Sequence, residues 1–179
     1  MIPVGHSTGA ALAALLAARS DSSLHIPAMV LVSFSSGLPM FLRSLARTQL
    51  GRSVVLQLLR SELSSVMLTR AWSHPETVNP QVLANYRYAL SAPSSQVRLQ
   101  EMLLHSRPVD QLEQIASRLR CRVLAISGRD DRLTSKPELD RILANLKPSA
   151  ECVVLDDCGH IPHEEQPQAF VEALLKFLE

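Results

Sequence analysis

Apolar positions along the chain fall into two spacings. Three short, continuous runs rich in β-branched residues, 28–34 (AMVLVSF), 122–127 (RVLAIS) and 151–155 (ECVVL), predict strands. Their continuity, rather than alternation, is what strands covered on both faces of a parallel sheet require. A shorter apolar lead-in, Ile2 and Val4, precedes Gly5 and brings the sheet to about four strands. The longer stretches have the helical period. After Gly9, ALAALLAAR has high helix propensity and predicts the first helix. Ser135-Lys136-Pro137-Glu138 reads as a capping box with proline in the first turn, opening a crossover helix that runs to about Leu146 before Pro148. At the end, Pro167 suits a first turn, and Phe170, Ala173, Leu174, Phe177 and Leu178 recur every 3.6 residues as one stripe for the sheet. Strands alternating with helices make the fold class α/β.

Between the first of these runs and RVLAIS lie roughly 85 residues, where a single crossover needs about 10 to 12. This stretch has no good strand pattern. It has several helical patterns, broken at Ser73-His74-Pro75, at Ala92-Pro93-Ser94 and at Arg107-Pro108, and Asn79-Pro80 offers a cap-then-proline start for one helix. The expected organisation is therefore a partial core of residues 1–37 and 118–179 with a small helical cap, or lid, inserted at 38–117.

Composition narrows the partners. The chain has 179 residues, 46% hydrophobic and 20% charged, with a net charge of +1, which is globular and near neutral. Without a single-sign charge run, neither a nucleic-acid footprint nor an anionic membrane surface is indicated, and a small uncharged substrate fits better. Three scattered cysteines, Cys121, Cys152 and Cys158, build neither a disulfide scaffold nor a metal site, and point mildly to a reducing compartment. The longest apolar stretch near the start, 10–18, is about half the roughly 20 residues that a transmembrane segment needs, and no leader pattern precedes it. A soluble protein, cytoplasmic or organellar, is expected, with any targeting signal lying upstream of Met1.

Candidate chemistry gathers at the predicted strand ends. Gly5-His6-Ser7-Thr8-Gly9 stands between the apolar lead-in and a strong helix, the context of a nucleophile elbow. Glycines at 5 and 9 remove side chains that a sharp strand-to-helix turn would bring into collision, leaving the serine hydroxyl exposed. At a helix N-terminus the backbone N–H of Thr8 is placed as an oxyanion donor. Taken alone the motif is equally a glycine-rich turn that caps a helix. Gly128-Arg129-Asp130-Asp131 follows RVLAIS, and Cys158-Gly159-His160 follows ECVVL. Each alone reads as an ordinary loop. In conjunction, serine, acid and histidine appear in that order, each at the carboxyl end of a strand, where catalytic groups of parallel sheets gather.

These stretches resemble the α/β-hydrolase family: VGHSTGAALA its elbow, VLAISGRDDRLTS its acid turn, and LDDCGHIPHEEQPQAFVEALLKFL its histidine loop and final helix. The resemblance implies Ser7 as nucleophile, Asp131 as acid, since the family pattern is Gly-x-x-Asp, and His160 as general base, with Asp130 the competing acid. It also implies a lid after the sixth strand, where 38–117 falls, and the C-terminal half of the family's parallel sheet. Serine at the elbow, where the family's epoxide hydrolases and haloalkane dehalogenases carry aspartate, implies hydrolysis of an ester, lipid, thioester, lactone or related carbonyl compound, or of a carbon–carbon bond. No metal and no organic cofactor is implied.

Against the family, the chain starts at the end of the fifth strand. The loop that carries the second oxyanion N–H lies before that point. The expectation is thus a shortened form, whether a truncated gene model, an isoform or a cut chain, weakly active or inactive and prone to associate through an uncovered edge. A non-catalytic remnant, an interaction module that keeps the triad by descent, is the alternative. His6 and Cys158 read as packing residues, His74, His105 and His163 as surface residues, and Trp72, Tyr86 and Tyr88 as cap residues.

Overall fold

The computed structural model describes residues 1–19, 24–34, 44–61, 69–91, 118–134, 136–146 and 150–179, together with 94, 98 and 115. His105, Ser135 of the expected capping box, and the expected helix breaks at Pro93 and Arg107-Pro108 lie outside the described residues. Two compact units are present: one of Met1–Ser36, Ala71–Ser73 and Pro108–Glu179, the other of Gly37–Arg70 and His74–Arg107. The short segment Ala71–Ser73, which lies within the stretch expected as an insertion, belongs to the unit that holds the sheet.

The first unit is built on one sheet of four parallel strands in the order β1 (Val4–His6), β2 (Ala28–Val32), β3 (Arg122–Gly128), β4 (Glu151–Leu155). Helix α1 (Thr8–Ala18) joins β1 to β2, and α4 (Lys136–Asn145) joins β3 to β4. The short α5 (Pro162–Glu165) and then α6 (Pro167–Leu178) follow. The lead-in strand lies two residues later than its apolar residues suggested, because the ladder runs on to His6, which pairs with Val32. β2 stops two residues early, since Ser33 turns to a φ of 42°.

Alternation along β2 divides the core. Met29 and Leu31 face Ala10, Ala13 and Ala14 of α1, with Leu119 and Val123. Ala28, Val30 and Val32 face the other way, with Leu124, Ile126 and Phe177 of α6. Phe177 is buried, worth about 1.5–3 kcal/mol by its apolar area alone. Arg122 lies over its ring, 4.5 Å from the centroid, and also donates to its carbonyl, which fastens the end of α6 to the start of β3. Phe170, Ala173 and Leu174 join the same core, while Leu178, expected in the stripe, is 44% exposed.

Double coverage holds for β2 and β3. It fails for β4, the outer strand, where Glu151, Cys152 and Val154 are exposed. β1 is the other outer strand, and Ile2 and Val4 are exposed beside it. The second unit contains α2 (Gln49–Ser61), a 3-10 turn (Pro75–Thr77) and α3 (Pro80–Ser91). Thr48 caps α2 through Gly51 N–H at 3.0 Å, and Asn79 caps α3 through Gln81 N–H at 2.8 Å. Both bonds satisfy amides that a helix start leaves without partners. No helix among the described residues is long and apolar enough to cross a membrane.

Candidate active site

The elbow follows from a short strand meeting a helix with no intervening loop. Ser7 lies between β1 and α1 with φ 54° and ψ −122°, a conformation that a side-chain-bearing residue rarely adopts. Backbone bonds hold it there: its N–H donates to Val32 O at 2.9 Å, and its carbonyl accepts from Ala10 N–H at 3.0 Å. Its side chain makes no cap bond to α1, so the helix does not consume the hydroxyl. Thr8 is the first residue of α1, and its N–H is one of those a helix start leaves unbonded.

The two elbow glycines differ. A Cβ at Gly5 would stand 2.3 Å from Gly9 O and 2.7 Å from Ala10 Cα, so strand and helix approach closely there. At Gly9, apart from its chain neighbours and the backbone of its own helix, no described atom lies within 4 Å of a Cβ, so a side chain collides at Gly5 and not at Gly9.

The acid turn is organised around one carboxylate. Asp131 Oδ1 accepts from the amides of Leu133 at 2.8 Å and Thr134 at 2.9 Å, and Oδ2 accepts from His160 Nδ1 at 2.8 Å. Burial alone would raise its pKa. The hydrogen bond and charge of His160, with the two amides, outweigh that and hold it below the usual carboxylate range. Asp130 is exposed, and its amide serves the turn by donating to Cys158 O at 2.9 Å. Arg129 pairs with Asp156 at the surface.

His160 is 4% exposed and held at three points. Its amide donates to Ala71 O at 2.6 Å, its carbonyl accepts from His6 Nε2 at 2.8 Å, and its ring meets Asp131. With Nδ1–H turned to a carboxylate, Nε2 is the ring's acceptor nitrogen. The arrangement can therefore take a proton at Nε2 and stabilise the resulting imidazolium through Asp131.

Among the neighbours, Cys158 and His74 follow the expected pattern and others differ. His163 is no surface residue: it is half-buried, 4.9 Å from the His6 ring and 5.9 Å from Phe170 between centroids. Trp72 is buried, and it belongs to the sheet unit because Ala71 and Ser73 bond to the histidine loop. His74 is exposed and pairs with Glu76, and Tyr88 is 81% exposed. Cys158 is fully buried, and burial, then the carboxylates of Glu165, Asp131 and Asp130, push its thiol up to about 12, which keeps it from acting as a nucleophile at neutral pH. Among the described residues no group of three His, Cys, Asp or Glu side chains is arranged to hold a metal ion.

Burial pushes the His6 imidazole below its ordinary value, as do His160 and His163, against the raising effects of its bond to the His160 carbonyl and of Asp131. Burial and His160 do the same to His163, against Glu164. Both rings thus bind fewer protons folded than unfolded. Their stabilising share is complete above about pH 6.5 and falls as the pH drops from there toward the lower folded values. Thermal melts between about pH 7.5 and 5 are expected to show a falling midpoint, with a shallower fall once both His6→Asn and His163→Gln are introduced. An equal slope in that double variant would assign the acid sensitivity elsewhere.

Comparison with solved structures bears on the architecture. A thermophilic esterase from Thermogutta terrifontis superposes with a TM-score of 0.73 at 22% identity, covering 99% of this chain and 64% of that one. An enol-lactonase from Burkholderia xenovorans LB400 gives 0.71 at 22%, covering 98% and 64%. A hydrolase from Pseudomonas aeruginosa PA01 gives 0.75 at 24%, covering 98% and 63%. The chain thus spans less than two thirds of the length of these structures, and at such identities the likeness is one of fold. No curated protein sequence matches the chain. The sequence model of the alpha/beta hydrolase family, however, matches residues 2–173, over the same parallel sheet and flanking helices, and the chain belongs to that family.

Proposed function

We propose that this chain is a serine hydrolase that cleaves an ester, lipid, thioester, lactone or related small carbonyl substrate through an acyl-enzyme on Ser7. The observation that carries this reading is the buried Asp131–His160 pair, at 2.8 Å, on the same sheet end as a serine held at φ 54°. Ser7 Oγ attacks the carbonyl carbon while His160 Nε2 takes its proton, and the oxyanion accepts the N–H of Thr8. Collapse of the adduct breaks the bond to the leaving group, which departs with the proton from His160. Water, deprotonated by the same nitrogen, then releases the acid and restores Ser7.

Thr8 is proposed to supply a backbone donor to the oxyanion, and loss of one such donor typically costs about 10²–10³ in rate. A fluorophosphonate probe tests the reading, because only an activated serine reacts with it. Labelling of the chain that disappears in Ser7→Ala is the expected result. Labelling no greater than in Ser7→Ala would replace the hydrolase reading with that of a non-catalytic remnant.

A further inference from the structure

We infer that Glu165 is a positioning residue whose carboxylate sets the place of His160, an inference that rests on reading His160 as the general base. Glu165 ends α5, five residues after the histidine, and its two oxygens gather three backbone amides. Oε1 accepts from Gly159 N–H at 2.9 Å and from Ile161 N–H at 3.3 Å, one residue on each side of His160. Oε2 accepts from Ser73 N–H at 2.8 Å. One charge therefore ties the histidine loop to the segment 71–73, which itself takes the His160 amide at Ala71 O. Ser73 Oγ adds a bond to Asp157 O at 3.2 Å.

The chemistry calls for a carboxylate at this position. Three donors converge on it, and hydrogen bonds to an ionised acceptor are roughly twice as strong as neutral ones. An amide in its place offers one oxygen, and its NH2 would confront at least one of the three N–H groups. The loop has no slack to absorb that loss. A Cβ at Gly159 would meet Ala71 O at 2.6 Å, Ser73 N at 2.7 Å and Glu165 Oε1 at 2.9 Å, so the carboxylate, the loop and the segment are in contact along the backbone. On the far side, Cys158 O and Gly159 O lie 2.1 Å from the Cβ position of Gly128, at the end of β3. His160 is therefore held between β3 and residues 71–73, with Glu165 closing the assembly, and its ring, 5.0 Å from that of His6 between centroids, meets Asp131. Released from Glu165, the loop can shift, and a displacement of about 1 Å at a catalytic base costs on the order of 100-fold in rate.

The test uses the full chain with Glu165→Ala and Glu165→Gln, titrated with a fluorophosphonate so that the maximal labelling rate and the apparent affinity are read separately. Expected is a fall in the maximal rate of on the order of 100-fold for Glu165→Ala and about tenfold for Glu165→Gln, with apparent affinity unchanged. A purely structural role would lower the fraction of chain that reacts and leave the rate of that fraction alone, and this result would overturn the inference. Amide hydrogen exchange gives a second readout, independent of activity. Gly159, Ile161 and Ser73 are expected to exchange together at least about tenfold faster in Glu165→Gln, with Leu124 and Ile126 of β3 unchanged. If the unaltered chain labels no more than Ser7→Ala, the hydrolase reading fails by itself, and the exchange pattern still decides the clamp: unchanged protection at the three amides removes it.

Discussion

Asp131→Asn is expected to slow the fluorophosphonate labelling of Ser7 by about 10⁴-fold while the chain stays folded. Asparagine keeps an oxygen for the amides of Leu133 and Thr134, so the turn retains its bonds. Its NH2 then faces His160 Nδ1, which must become an acceptor, and the ring proton moves to Nε2. In that tautomer the nitrogen needed to take the serine proton already carries one. Asp130→Asn is the control: Asp130 is exposed and serves the turn through its amide, so labelling is expected within twofold, on the order of the unaltered rate. Labelling kinetics on the two variants separate the candidates, and a slow Asp130→Asn beside a normal Asp131→Asn would reverse the acid assignment. Acid melts give a second check. Because Asp131 is held below the usual carboxylate range, its share of stability is present above about pH 4 and disappears as the pH falls through its folded value, a loss the asparagine variant lacks.

The second large effect is steric. Gly5→Ala and Gly128→Ala are each expected to destabilise the chain by more than about 4 kcal/mol, the range reserved for changes that the surrounding structure cannot absorb. Their Cβ atoms would stand 2.3 Å from Gly9 O and 2.1 Å from Cys158 O and Gly159 O. These are backbone atoms, so relief requires separating α1 from β1, or the histidine loop from β3. Gly9→Ala is the matched comparison. With no described atom near its Cβ, it is expected to be neutral or to gain up to about 1 kcal/mol from helix propensity. Urea melts of the three variants rank them, and a Gly9→Ala as damaging as Gly5→Ala would show that the open side of the elbow is filled.

The contrast between these glycines marks where sequence reasoning stops. Gly-x-Ser-x-Gly is legible as a turn because both glycines suit tight backbone, but which of them is sterically obligatory depends on how α1 leans on β1. A one-dimensional pattern carries no such information. β3 and β4 were readable as strands from their β-branched runs, and α1 from its alanines, because local propensity and burial act within a few residues. That β4 is half-exposed was not readable, since its apolar content matches that of a central strand and its position at the sheet edge is a property of strand order.

Ser7, Asp131 and His160 are legible in the sequence as candidates because motif spacing and the chain order of strand ends restrict where such groups fall. By itself the sequence determined the α/β class and picked out the candidate elbow, acid turn and histidine loop, all of which are patterns of neighbours close along the chain. Only the tertiary structure decided which aspartate meets the imidazole, that residues 71–73 lie with the sheet, that His163 packs on His6, and that Glu165 gathers three amides around His160. Each of these depends on contacts between segments distant in sequence, or on which of two adjacent side chains a turn directs inward. Such choices are made by the closure of the whole fold, where residues 92 positions apart, as Ser73 and Glu165 are, come within hydrogen-bond reach.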